Sequence, residues 1–382
     1  MKVLHTIAGM STRSGGPSTC TKDLLIGIND LKDIKADLLT VSEPIGGLQN
    51  VGYGSEWLKE VPYDYRTPLC LSANIRQALS ISDYDIYHCN ALWMYANHIT
   101  CKIARNKKKP YILSPHGMLY PTALRIKRWK KWPMLHLWFN KDIMNASCIH
   151  ATCKEEMEYV RAFGYKGPIA VIPNPVVIPS NIAPKMAISH RKAIGFLGRI
   201  NPIKKIENLL YAVAKASVDG FTNFEIDIIG SGDEKYESFL KYEANRLGIG
   251  HRVNFLGFIS GDEKYRHLTE LRTLFVPSEQ ENFGMIVPEA LICGTPVYAS
   301  LGTPWEELNI SNCGWWKDNN PNTIAEIIKI VLTISDEDLI QMGLNGRNLI
   351  MQKYEQYSVA NKMAQLYKWI LGQTEKPKFV YE

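Results

Sequence analysis

The chain has 382 residues, 46% of them hydrophobic and 21% charged, and no low-complexity tract. That length exceeds one ordinary core and suits two domains, and the composition excludes a long disordered chain. Eight cysteines with no CxxC pair exclude a disulfide scaffold or a zinc ribbon and read as free thiols of a reducing compartment. No apolar run reaches the roughly 18 residues of a membrane span, and Met1–Ile7 is too short for a signal peptide. The net charge of +6 is uneven. Residues 1–185 carry 23 Lys+Arg against 14 Asp+Glu, and the remainder 21 against 24. A first half at +9 and a second at −3 ask for an anionic partner on the first: a membrane surface, a phosphate-bearing substrate or nucleic acid.

Short apolar runs alternate with helical periodicity throughout, which predicts parallel α/β sheets. Lys2–Ile7 reads as a strand, Gly9–Gly16 as a loop and Thr19–Leu31 as a helix. Strands at Leu38–Val41, Ile86–His88, Tyr111–Ser114, Ile149–Ala151 and Ala170–Ile172 complete a first domain over 1–180. Three prolines in Val171–Pro179 stiffen the chain and place a linker at about 175–190. A second domain over 190–355 starts with the strand Ala193–Gly198. Helix 206–218, strand Phe224–Ile229, helix 234–247 and the strands Val253–Leu256 and Thr273–Val276 follow. Helix Val287–Cys293, strand Pro296–Ala299 and helices at 322–333 and 336–353 complete it. A last helix, about 356–371 within the segment 356–382, crosses back onto the first domain. The predicted fold class is α/β, with two Rossmann-like domains facing each other and helices on both faces of each sheet.

The sharpest motif is the run from Pro277 to Val297. Glu281 and Gly284 lie in a loop after a strand, and Glu289 lies in the first turns of the helix that follows. Backbone amides at such a junction attract an anion. Two carboxylates beside it suit a ligand that carries hydroxyls as well as phosphates. Arg199 and Lys204, in the loop after another strand, offer a planar fork and a point charge suited to a diphosphate. Gly230 and Gly232 follow a third strand and permit close backbone approach. In the first domain, Gly15 and Gly16 precede a helix, and His116 and Gly117 follow a strand. All these positions lie at carboxyl ends of parallel strands, where ligands gather.

These residues resemble the retaining family 4 (group 1) glycosyltransferases of the GT-B fold. Glu281-x7-Glu289, with Asn282-Phe283-Gly284 inside it and Cys293-Gly-Thr-Pro-Val297 after it, resembles the family's most specific motif. Gly198-Arg199 with Lys204 is similar to its diphosphate loop. Gly15-Gly16, His116-Gly117 and Ile172-Pro173-Asn174 follow in order, and the resemblance covers nearly the whole chain. It implies that Arg199 and Lys204 hold the donor diphosphate and that Glu289 binds the ribose hydroxyls. It implies too that Glu281 binds the donor sugar beside the amides of Asn282, Phe283 and Gly284, and that His116 borders that sugar. Gly16 would reach the phosphates or acceptor, and Gly230, Gly232 and Phe258 the base. The implied chemistry retains anomeric configuration and uses no cofactor and no metal, with a UDP- or GDP-linked sugar as donor substrate. Lys205 and Pro175 depart from the family, which usually has Gly at both places. Asp83-Tyr-Asp85, superficially a metal-binding DxD, reads as a polar start to a strand.

Within the family the stretch from Ser114 onward resembles bacterial surface-polysaccharide members. Arg125, Lys127, Arg128, Lys130 and Lys131 alternate with Trp129 and Trp132, and Trp138 and Phe139 follow. Basic residues and interfacial tryptophans suit an anionic membrane surface, with Pro133 interrupting any single long helix. The expectation is a cytoplasmic enzyme, peripheral at the inner face of the cell membrane. It would move a hexose or N-acetylhexosamine to a glycan acceptor, undecaprenyl-diphosphate-linked, in capsule, O-antigen or exopolysaccharide synthesis. No nucleic acid is expected, since no recognition module accompanies the patch. The alternatives are a sugar-nucleotide epimerase of the same fold and a non-catalytic membrane-associated scaffold.

Overall fold

The computed structural model describes residues 1–10, 16–42, 54–62, 69–179 and 193–382. The chain divides into two compact units: Met1–Val177 with Glu355–Glu382, and Ile178–Tyr354. In chain order the first unit runs β1 (Lys2–Thr6), α1 (Gly16–Asn29), β2 (Lys35–Ser42), β3 (Leu58–Pro62), α2 (Ala73–Ile81), β4 (Ile86–Asn90), α3 (Tyr95–Asn106) and β5 (Tyr111–Ser114). It continues with α4 (Pro121–Arg125), α5 (Arg128–Met134), a π turn (Leu135–Phe139), α6 (Asn140–Met144), β6 (Cys148–Ala151), α7 (Lys154–Phe163) and β7 (Ile169–Val171). The second unit holds β8 (Ala193–Leu197), α8 (Ile206–Val218), β9 (Glu225–Ile229), α9 (Glu234–Arg246), β10 (Val253–Gly257), α10 (Gly261–Glu270) and β11 (Thr273–Val276). It ends with α11 (Ile286–Ile292), β12 (Val297–Ser300), α12 (Glu307–Ile310), β13 (Gly314–Lys317), α13 (Pro321–Thr333) and α14 (Asp336–Lys353). The chain then returns to the first unit with α15 (Gln356–Ile370) and β14 (Val380–Tyr381).

The first sheet has the order β14-β7-β6-β5-β4-β1-β2-β3 and the second β10-β9-β8-β11-β12-β13. Both are parallel except at one edge: β14 pairs antiparallel with β7, Val380 opposite Ala170. A strand two residues long at the end of the tail needs no crossover helix to reach an open edge, and Arg161 fixes it by donating to the Tyr381 carbonyl at 3.2 Å.

Strand alternation sends neighbours to opposite faces of the first sheet. Leu4 joins Ile75 and Leu79 of α2 and Ile99 and Ile103 of α3, whereas Val3 joins Leu25 and Ile28 of α1 and Met363 and Leu366 of α15. α15 docks on α1 at Gly27, where a Cβ would lie 3.1 Å from that of Ala360. In the second unit α8, α9 and α13 bury Leu209, Val213, Leu240, Ile324 and Ile328 against one face. The sequence reading missed α2, α3, α4, α7, α10, α12, β3, β13 and β14. It also took Pro133 as an interruption. The chain instead continues helically from α5, which contains Pro133, into α6, since a proline within a helix removes one backbone bond without ending it, and the turn after it widens to a π turn with Asn140 N–H bonded to the Leu135 carbonyl.

Candidate active site

In the second unit one predicted cation and one predicted carboxylate, Lys204 and Glu281, meet in the loops that follow β8 and β11. Lys204 and Glu281 form an ion pair, and Ser278 Oγ donates to the same Glu281 oxygen at 2.8 Å. Their two loops are laced by the Glu279 N–H, which donates to the Ile203 carbonyl at 2.8 Å. Glu281 N–H in turn bonds the Gly302 carbonyl at 2.8 Å. Gly302 must be glycine, since a Cβ there would stand 2.1 Å from the Glu279 oxygen. Below, Trp305 Nε1 donates to the Phe283 carbonyl at 2.5 Å, and the Phe283, Trp305 and Tyr354 rings pack together. Gly284 follows in the left-handed region at φ +73°. The loop carrying Glu281 and Asn282 is therefore held from three sides.

Arg199 is exposed in the loop after β8 and makes no ion pair among the described residues. Glu289 lies in the first turn of α11 and pairs with Lys264 of α10 at 2.8 Å. Lys264 was missed because nothing in the sequence ties α10 to α11. Phe258, just beyond β10, is 75% exposed.

Gly230 and Gly232 have a use the sequence did not show. A Cβ on Gly230, at φ +144°, would lie 1.8 Å from the Gly198 carbonyl, and one on Gly232 would lie 2.2 Å from that of Ile200. Ile200 N–H donates to Ser231 O at 3.0 Å, and Asp233 N–H to Ile200 O at 2.8 Å. These glycines let the loop after β9 lie against the loop that carries Arg199. Lys205, where the resembling family has Gly, sits at φ +51° and pairs with Glu279 at 3.1 Å.

The first unit has its own cluster. His116 follows β5 at φ +51°, and its Nε2 is buried with no hydrogen-bond partner among the described residues. Burial, then the nearby His150, pushes its pKa down to about 3, so the ring is neutral. Gly16 opens α1, and a Cβ there would meet nothing within 4 Å, while Gly15 lies outside the described residues.

Beside His116 a line of hydrogen bonds crosses the sheet, and one end fixes every proton in it. The Ile172 carbonyl only accepts, so His150 Nε2 at 2.8 Å carries a hydrogen and Nδ1 a lone pair. Ser114 Oγ, 2.8 Å from that Nδ1, donates to it and accepts from His88 Nε2 at 2.7 Å. His88 Nδ1 then accepts from Tyr367 Oη at 2.8 Å, Tyr367 accepts from His5 Nε2 at 2.8 Å, and His5 Nδ1 accepts from Asn90 at 3.3 Å. Burial lowers the pKa of all three histidines, His5 to about 3 and His150 to about 4, which keeps them neutral. Tyr367 belongs to α15, so the returning helix is bolted to the middle of the sheet.

The basic aromatic stretch splits in two. Trp129 and Trp132 are 74% and 57% exposed and line a surface groove with Arg125, Lys127 and Arg128, and Lys130 lies 4.9 Å over the Trp129 ring. Lys131 turns inward, 5.4 Å over the Trp93 ring, and donates to the Ala123 carbonyl at 2.5 Å. Trp138 stacks on His98 at 5.3 Å and Phe139 is buried, so Lys131, Trp138 and Phe139 form no part of an outer face. Asp83 and Asp85 precede β4 at the opposite end of the sheet, where Asp85 accepts the Lys2 N–H at 2.8 Å and Asp83 pairs with Lys109 at 3.6 Å. Among the described residues no helix is long and apolar enough to cross a membrane.

Comparison with known proteins finds two family matches. Residues 15–178 match Glycosyltransferase Family 4 and residues 180–349 match Glycosyl transferases group 1. An uncharacterized glycosyltransferase of Methanocaldococcus jannaschii is 26% identical over 315 residues, 76% of each chain. A HepE protein of Anabaena, crystallised in complex with UDP and glucose, superposes with a TM-score of 0.73 at 18% identity, over 97% of this chain and 100% of that one. A sucrose-phosphate synthase of Thermosynechococcus elongatus gives 0.76 at 17% identity, over 98% and 100%. At those identities the likeness is one of fold, and the fold is GT-B.

Proposed function

The chain is a glycosyltransferase of the group 1 and family 4 domain pair that uses a nucleotide-sugar donor, and on that premise we propose that it is a retaining enzyme of surface-polysaccharide synthesis. It moves a hexose or N-acetylhexosamine from a UDP- or GDP-linked donor to a lipid-linked glycan. The observation that carries this reading is the Lys204–Glu281 pair with exposed Arg199 on the adjoining loop.

As the bond from the anomeric carbon to the diphosphate breaks, negative charge grows on the departing phosphate. Arg199 and Lys204 meet it with positive charge, and the Lys204 ammonium is held in place beforehand by Glu281. The acceptor oxygen bonds to the anomeric carbon from the same face, and its proton passes to the departing phosphate oxygen. Glu281 receives donor-sugar hydroxyls and orients Lys204. Glu289 receives the ribose hydroxyls, and Phe258 offers a ring to the base. UDP in the Anabaena relative's crystals supports a uridine donor over a guanosine one. Neutral His116 borders the donor sugar as a hydrogen-bonding group. The exposed face of Arg125, Lys127, Arg128, Trp129, Lys130 and Trp132 docks the first unit on anionic lipid and brings the acceptor to it.

The test is product analysis with UDP- and GDP-sugars and a lipid-diphosphate disaccharide acceptor. Transfer with an α-linked product from an α-linked donor is expected. An inverted product removes the retaining mechanism, and a donor converted to its epimer without acceptor replaces the transferase reading altogether.

A further inference from the structure

Glu156 has no role in the reaction described above, yet it is only 1% exposed. It lies in the first turn of α7, where Cys153 Sγ caps its N–H. Its Oε1 accepts the Gly117 backbone N–H at 2.5 Å. Its Oε2 accepts the Thr152 N–H at 2.7 Å and the Thr152 hydroxyl at 2.9 Å. One carboxylate thus staples the segment after β5 to the segment after β6. Burial pushes its pKa up, and the three donors oppose that shift. Taking a carboxylate out of water is costly, so the staple is an expensive way to close a turn.

What it closes is unusual. His116 and Gly117 are consecutive left-handed residues, at φ +51° and +76°. Glycine adopts that conformation freely, but a residue with a Cβ does so only under strain. The turn persists when its surroundings hold it, and the Glu156 bond is made to the amide directly after the strained histidine.

We propose that Glu156 is a positioning residue for His116: its carboxylate fixes the Gly117 amide, and with it the left-handed turn that sets where the imidazole lies. The inference rests on the reading that His116 borders the donor sugar. Both oxygens face N–H donors, so a carboxamide of the same shape cannot replace the carboxylate. It has one acceptor oxygen, and its NH2 would face a second N–H.

The test is a double-mutant cycle in the intact chain, with donor and acceptor kinetics and Tm read together. Glu156→Gln is expected to lower kcat about 10- to 100-fold and leave KM for the nucleotide sugar within about twofold, because the diphosphate and ribose contacts lie on the other unit. In a His116→Ala background the same change should cost nothing further in kcat. Glu156→Asp, which keeps two acceptor oxygens, should recover part of the turnover. If the Gln variant does not fold, the Asp variant takes its place in the cycle, and its loss must likewise vanish beside His116→Ala. Multiplicative losses, or a lowered Tm with wild-type kcat, overturn the proposal. Wild-type turnover in His116→Ala alone removes the His116 reading instead, and that result is visible before Glu156 is touched.

Discussion

The two sheets end in different chemistry. At the first, the histidines are neutral and buried, and three of them are joined in one line from Asn90 to Ile172. At the second, they are charged, partly exposed and paired, Lys204 with Glu281 and Lys264 with Glu289. A buried neutral imidazole costs far less than a buried ion, so a line of histidines can sit inside a sheet and fix geometry there. Charges that must meet a diphosphate stay near the surface: Lys204 lies beside Glu281, which orients it, and Arg199 is exposed. The difference teaches where each region is vulnerable: the first to protons, the second to loss of a single charge.

The largest effect should come from the charged region. Lys204→Ala is expected to lower kcat/KM about 10²- to 10³-fold while Tm falls by no more than about 5 °C. Steady-state kinetics with a melting curve measures both, and near-wild-type rates would break the contrast at its stronger end.

Next comes acid. His5, His116 and His150 have folded-state pKa values of about 3, 3 and 4 against an ordinary 6.5, and His88 is also well below it. The unfolded chain therefore takes up protons first as the pH falls. Stability is fully present above about 6.5 and drops steadily toward the folded values, by about 1.4 kcal/mol per pH unit for each histidine. Urea midpoints at pH 7.5, 6.5 and 5.5 read this directly, and a flat profile would mean the line is not neutral.

A smaller effect belongs to the outer face of the first unit. Trp129→Ala and Trp132→Ala with Lys130→Ser should release the protein from anionic liposomes, whereas Lys131→Ser should do little there, because Lys131 caps Trp93. Equal release by both variants in a co-sedimentation assay would undo the division of that stretch. Smallest of all is Lys205→Gly. It relieves a left-handed lysine and gives up the bond to Glu279, so stability should stay within about 1 kcal/mol, and a large loss of stability would show that the Glu279 pair matters more than the strain.

The parts that sequence conveyed are those encoded locally. Tyr111–Ser114, Thr273–Val276, Ile206–Val218 and Asp336–Lys353 carry periodicity and flanking signals within themselves, and the structure has them at those bounds. The start of α7 was illegible because its cap is Cys153, a residue type with no capping reputation. The site's supports were illegible for another reason. His5 faces His88 through the parallel register, Glu289 meets Lys264 across two helices, and Glu156 meets Gly117 across two strands. Such partners become neighbours only once the sheet is assembled. Gly230 and Gly232 were legible as glycines that matter, but the backbone they approach is the protein's own.

The most direct test of the account is thermal stabilisation by UDP and GDP, in wild-type protein and in Lys204→Ala. A shift with UDP that is lost in the variant would place the diphosphate on the second unit's paired charges. No shift with either nucleotide, or an unchanged shift in Lys204→Ala, would contradict that placement.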